Sequence, residues 1–134
     1  MPCAVWKERA TVENVPTLRR RAVSYALEHN VEDPPIGDLT LALGEAITNA
    51  VVHAYRRVEP GTITLALSIE PKANEVTAVV TDDGVGFSPN PESPGIGMGM
   101  KIIETLADSV EVRARNDGCG TEIVMTFQLS VRAS

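Results

Sequence analysis

Three polar side chains recur at one-turn spacing within the apolar stretch Leu39 to Tyr55: Glu45, Asn49 and His53. At about 100° per residue, positions i, i+4 and i+8 fall within an arc of roughly 80°, so one side of a helix presents a carboxylate, an amide and an imidazole together. Burying such groups is costly unless they are hydrogen-bonded or face a polar ligand. An amide carbonyl oxygen is a hard donor of the kind Mg2+ accepts beside phosphates and water. A carboxylate one turn away can take a proton from a hydroxyl or a water. The same triplet also suits a solvent-facing stripe with His53 bonded locally, and spacing alone leaves both readings open.

Three further segments carry chemistry. In TDDGVGF a strand runs into Asp82, Gly84 and Gly86; an aspartate at a strand end can accept a hydrogen bond from an exocyclic amine, and the glycines let a ligand approach the backbone. A tight turn after an edge strand explains the same residues, and Asp83 is expected to be solvated. In PGIGMGMKIIETLAD, Gly95, Gly97 and Gly99 alternate immediately before a helix. Unobstructed N–H groups at a helix start make a phosphate site, although a flexible connector reads the same way. Lys101 is expected to be solvated. Neither a P-loop nor a dinucleotide fingerprint matches. In GCGTE, Thr121 opens the last strand, where its hydroxyl can meet a phosphate, orient Glu45 or simply complete a turn.

The elements that must position these residues follow from periodicity. Residues 4 to 11 read as a strand, Asn14 to Asn30 as a helix begun by Val15-Pro16, and VEDPPIGD as a break. Leu39 to Tyr55 reads as a central, largely buried helix. Ile63, Leu65, Leu67 and Ile69 alternate, EPKAN turns the chain, and Val76, Ala78 and Val80 alternate again, which makes a hairpin. A helix over Met98 to Asp108 precedes strands at Val110 to Arg115 and Thr121 to Leu129, joined through NDGCG. Hairpins without repeated strand-helix-strand crossovers imply an α+β fold: a two-layer sandwich whose mixed, mostly antiparallel sheet carries its helices on one face.

The 134 residues suit a single domain, 1–134. With few aromatics in a 43% hydrophobic chain, the core must be aliphatic. A net charge of −6 argues against nucleic acid as a partner. No apolar run suggests a membrane span, and MPCAVWKERA has no signal-peptide core, so a cytoplasmic location is expected. Cys3 and Cys119 form no CxxC pattern and are expected to be idle thiols.

Taken in order, the Glu45-Asn49-His53 segment with its NAVVHAY run, DDGVGF, GIGMGM before a helix and GCGTE before a final strand resemble the GHKL superfamily, the ATP-binding fold of gyrase, heat-shock chaperones, histidine kinases and mismatch-repair ATPases. The resemblance covers Leu39 to about Phe127. The chain length, the segment ending His-Ala-Tyr and KIIETLADSVEV look most like bacterial anti-sigma-factor serine/threonine kinases. That resemblance implies ATP and Mg2+ as cofactors and a sigma factor and an anti-sigma-factor antagonist as partners, and it allows a homodimer. It implies Asn49 on Mg2+, Glu45 as general base and Asp82 on the adenine amino group. Gly84 and Gly86 would shape the adenine pocket, and Gly95, Gly97, Met98 and Gly99 would lie beside the phosphates. Thr121 would sit near the adenine side, His53 would be structural, and Arg19 and Arg20 would bind partners. Between Phe87 and Gly95 only SPNPESP is available as a lid, and its prolines stiffen it. The alternative function is therefore a non-catalytic, nucleotide-dependent switch of the same fold.

Overall fold

The computed structural model describes residues 3–32, 35–54, 61–83, 94–114 and 120–129. The elements are β1 (Cys3–Arg9), α1 (Asn14–Glu28), α2 (Pro35–Ala54), β2 (Thr62–Glu70), β3 (Glu75–Asp82), α3 (Pro94–Leu106), β4 (Ser109–Ala114) and β5 (Thr121–Gln128). One five-stranded sheet has the order β1-β2-β3-β5-β4. Every pairing in it is antiparallel, so the sheet is not mixed. The two hairpins β2–β3 and β4–β5 lie side by side, and β1 returns antiparallel to the outer side of β2 after both helices have been threaded.

Alternation decides which face is buried. Ile63, Leu65, Leu67 and Ile69 of β2, Val76, Ala78 and Val80 of β3, and Ile123, Met125 and Phe127 of β5 are buried on one face. Against them α2 sets Leu39, Ala42, Leu43, Ala46, Ile47, Ala50 and Val51, all buried. The alanines let the helix approach the sheet closely, and each fully buried Leu or Ile is worth about 1.5–3 kcal/mol. Leu18, Ala22 and Ala26 of α1 complete this layer, so the core is aliphatic as composition requires.

Several element boundaries differ from the periodicity. The first strand stops at Arg9. α2 begins at Pro35 rather than Leu39, because proline at a first helical position is pre-set in φ and lacks an N–H that would go unbonded there. For the same reason α3 begins at Pro94 rather than Met98, which places Gly95, Gly97 and Gly99 inside the helix. The end of α1 is well defined: Asn30 has φ 67°, the Val31 N–H donates to Ala26 O at 3.0 Å and the Asn30 N–H to Leu27 O at 3.1 Å. That is a Schellman cap, which satisfies two terminal carbonyls.

Asp83 lies partly in solvent, as expected, but its carboxylate is bonded. Its Oδ1 accepts from the Thr62 N–H at 2.8 Å, and Gly61 O accepts from the Ala10 N–H at 2.8 Å, tying the ends of β1, β2 and β3 together. A Cβ on Gly61 would collide with the Asp83 carboxylate. Asp83→Ala and Gly61→Ala are each expected to cost about 1 kcal/mol by urea unfolding. Their combination should cost little more than either alone, because both remove one bond; full additivity would show that the contact is not shared.

Candidate functional site

Glu45 and Asn49 lie one turn apart on α2. Glu45 is half-buried, and Asn49 keeps only 5% of its surface exposed in the aliphatic layer. Facing them is the backbone of Gly99 on α3. A Cβ there would stand 3.2 Å from Asn49 Oδ1 and 3.2 Å from Glu45 Oε2, tighter than ordinary contact. Glycine at this position therefore brings α3 against the carboxylate and amide with no side chain between them. The Asn49 Nδ2 is buried without a hydrogen-bond partner. A buried amide left in this state costs about 1–3 kcal/mol, a penalty that a polar ligand would relieve.

A second pair forms at the ends of β3 and β5. Asp82 and Thr121 are direct cross-strand partners on the helix-facing side, 4% and 1% exposed. Gly120, with φ 104°, turns the chain into β5 so that Thr121 starts the strand pointing inward. The Thr121 Oγ1 is the other buried, unpartnered polar atom among the described residues. Four expected site residues, Glu45, Asn49, Asp82 and Thr121, thus lie in the layer between sheet and helices, two of them carrying orphaned polar atoms. No group of three metal-ligating side chains exists among the described residues.

The other expectations fall as follows. Gly84, Gly86 and Cys119 lie outside the described residues, as do the side chains of His53 and Met98. Gly95 and Gly97 belong to the first turns of α3. Lys101 is exposed, and Cys3 is an exposed free thiol. Arg19 and Arg20 do not share a surface in the same way: Arg20 is exposed, whereas Arg19 lies half-buried over α2, where a Cβ on Gly44 would stand 3.0 Å from its Nη1. Gly44 escaped the reading of the sequence because a single glycine in a helix announces no partner. Its signal was that it interrupts a strongly helical run immediately before Glu45.

Residues 9–127 match the family model described as a histidine kinase-like ATPase domain. The chain is 31% identical over 127 residues to an anti-sigma F factor of Clostridium acetobutylicum, covering 87% of this chain and 86% of that protein. It is 35% identical over 112 residues to an anti-sigma F factor of Clostridium perfringens, covering 73% and 78%. A crystal structure of the RsbU and RsbW domains of Rv1364c from Mycobacterium tuberculosis superposes with a TM-score of 0.76 at 25% identity. It covers 99% of this chain, and this chain spans 34% of that longer one.

If the orphaned hydroxyl is reserved for a ligand, Thr121→Val should raise the stability of the ligand-free protein by about 1 kcal/mol in urea, since it removes an unpaired buried group at constant shape. A loss of stability would mean the hydroxyl is bonded. Gly99→Ala should weaken binding of a fluorescent ATP analogue about tenfold, a change of 1.4 kcal/mol; unchanged binding would show that the close approach at Gly99 does not matter to the ligand.

Proposed function

We propose a function from one premise: the chain belongs to the histidine kinase-like ATPase domain family. Its function is that of an anti-sigma serine/threonine protein kinase, which binds Mg-ATP, sequesters a sigma factor and phosphorylates the antagonist protein that would release it. The observation that carries this reading is the approach of α3 at Gly99, where a Cβ would crowd Glu45 and Asn49, beside a buried amide with no partner. The names of the curated relatives, anti-sigma F factors, support the partner side of it.

The orphaned Asn49 amide and Thr121 hydroxyl fit a polar ligand. Asn49 would offer its carbonyl oxygen to Mg2+, and Asp82 and Thr121 would meet the adenine end. When bound, Mg-ATP supplies the phosphoryl group and the cation that screens its charge. The chain itself contributes alignment and one proton acceptor. The Glu45 carboxylate takes the proton of the acceptor serine or threonine as that oxygen bonds the terminal phosphorus and the bond to the bridging oxygen breaks, leaving ADP. Glu45 is half-buried, with its Oε2 close to Gly99 of α3. Arg19 and Arg20 on α1 would contact the protein partners. A second reading, a nucleotide-dependent switch without transfer, is favoured by the short proline-rich run SPNPESP, which offers little chain to close over a nucleotide.

Incubation with ATP labelled on its terminal phosphate, Mg2+ and an extract of the source cells tests the proposal. Label is expected on serine or threonine of a small protein. Glu45→Gln should cut transfer about a hundredfold or more while a fluorescent ATP analogue still binds. Asn49→Ala or EDTA should remove the Mg2+-dependent part of that binding. Nucleotide binding with no labelled protein would assign the switch instead.

A further inference from the structure

Asp82 and Thr121, the two buried residues assigned to the adenine end, are the last cross-strand pair of the β3–β5 ladder among the described residues. One step back along the same strands Thr81 faces Glu122, and Glu122 also faces Arg113 of the edge strand β4. Side chains alternate along a strand, so this row lies on the outer face of the sheet, directly behind the site. There the Arg113 Nε–H donates to Glu122 Oε1 at 2.8 Å, and the Thr81 hydroxyl makes a longer bond of 3.4 Å to Glu122 Oε2. One carboxylate thus joins three strands, and neither Glu122 nor Arg113 has a part in the chemistry proposed above.

This bracket is covalently next to both buried residues: Thr81 precedes Asp82 and Glu122 follows Thr121. The other side of β3 is tied as well, by the Asp83–Thr62 bond to β2. The end pair of a ladder frays first, and a link one rung behind it opposes that. Spacing matters here because of what a carboxylate can read. An ionised Asp82 only accepts, so it suits the 6-amino group of adenine and opposes the 6-oxo group of guanine. A guanine that shifts in its pocket could offer its own N–H groups to the same carboxylate. Rejection therefore requires Asp82 and Thr121 to be held within about 0.5 Å of one arrangement.

We propose that Glu122 is a positioning residue for the choice of purine. Through Arg113 and Thr81 it fixes the separation of Asp82 and Thr121 from the back of the sheet, so that the pocket takes adenine and refuses guanine. This deepens the nucleotide part of the proposed function and rests on it.

The ratio of ATP to GTP affinity, read by displacement of a fluorescent ATP analogue, isolates the effect, because both nucleotides carry the same triphosphate. Glu122→Gln keeps the size of the side chain and is expected to lower the ratio about three- to fivefold, the range an exposed ion pair carries, while the urea midpoint moves little. Arg113→Ala should do the same. Reversing the pair, Glu122→Arg with Arg113→Glu, should recover the ratio. Rising salt should lower it in the wild type and leave it unchanged in Glu122→Gln, since such a pair is screened. A ratio untouched by Glu122→Gln, or one that the reversed pair fails to recover, overturns the proposal. Asp82→Asn tells this failure from a wider one: if it lowers the ratio and Glu122→Gln does not, the bracket alone falls. If neither nucleotide displaces the analogue, or if Asp82→Asn leaves the ratio unchanged, the adenine reading of the site falls and the bracket with it.

Discussion

A primary amide set into an aliphatic layer is the constraint around which the rest of this structure is arranged. Asn49 can occupy its place only if α2 is apolar enough on its other sides to hold the helix against the sheet. Leu39, Leu43, Ile47 and Val51 supply that apolar burial, and the alanines between them bring the helix close. With α2 so fixed, one turn back from Asn49 brings Glu45 to a half-buried position, and Gly99 closes the space above both. The folded state bears the cost of two unpartnered polar atoms and offsets it with hydrophobic burial elsewhere. A protein selected for stability alone would fill these positions with leucine and valine.

Much of this was legible in the sequence for definite reasons. Period-two alternation in TITLALSIE and EVTAVVTD could describe only half-buried strands, and the turn between them contains Asn74, which takes φ 55°. Glu45 and Asn49 stood out as polar residues in an apolar helix, and Asp82 and Thr121 as polar residues at strand ends beside glycines. The helix starts were not legible to the residue, because Pro34-Pro35 and Pro94-Gly95 read equally as loop and as a first helical turn. Asp83 misled for a different reason. Alternation says that it points away from Asp82, and outward on an antiparallel sheet usually means water alone, but here the backbone of Thr62, the first residue of β2, also comes within bonding distance. Such a contact depends on where three strand ends meet, which no local pattern records.

The arginines of α1 show how one run of like residues divides among unlike tasks. At 100° per residue, Arg19, Arg20 and Arg21 point in three directions. Arg19 crosses to Gly44 on the neighbouring helix, Arg21 closes on Glu8 of β1, and Arg20 is left in solvent. Gly44 directly precedes Glu45, so Arg19 lies one residue from the candidate base. The first helix and the helix that carries the candidate site meet there, with the Arg19 side chain against the backbone of α2.

The position of β1 in the sheet has a consequence for the order in which the molecule assembles. Within each hairpin the paired strands lie only a few residues apart in sequence, but Arg9 finds Thr62 only after two helices have been laid down between them. Loop-closure entropy makes such a pairing slow to form and early to open. β1 is thus the outer wall of the sheet: among the described residues it pairs with β2 alone, and the Trp6–Tyr25 contact depends on its docking. Anything that binds the closed form of that wall and not the open one must, by mass action, hold the strand in the sheet. Strand docking and occupancy of its edge are then a single linked equilibrium.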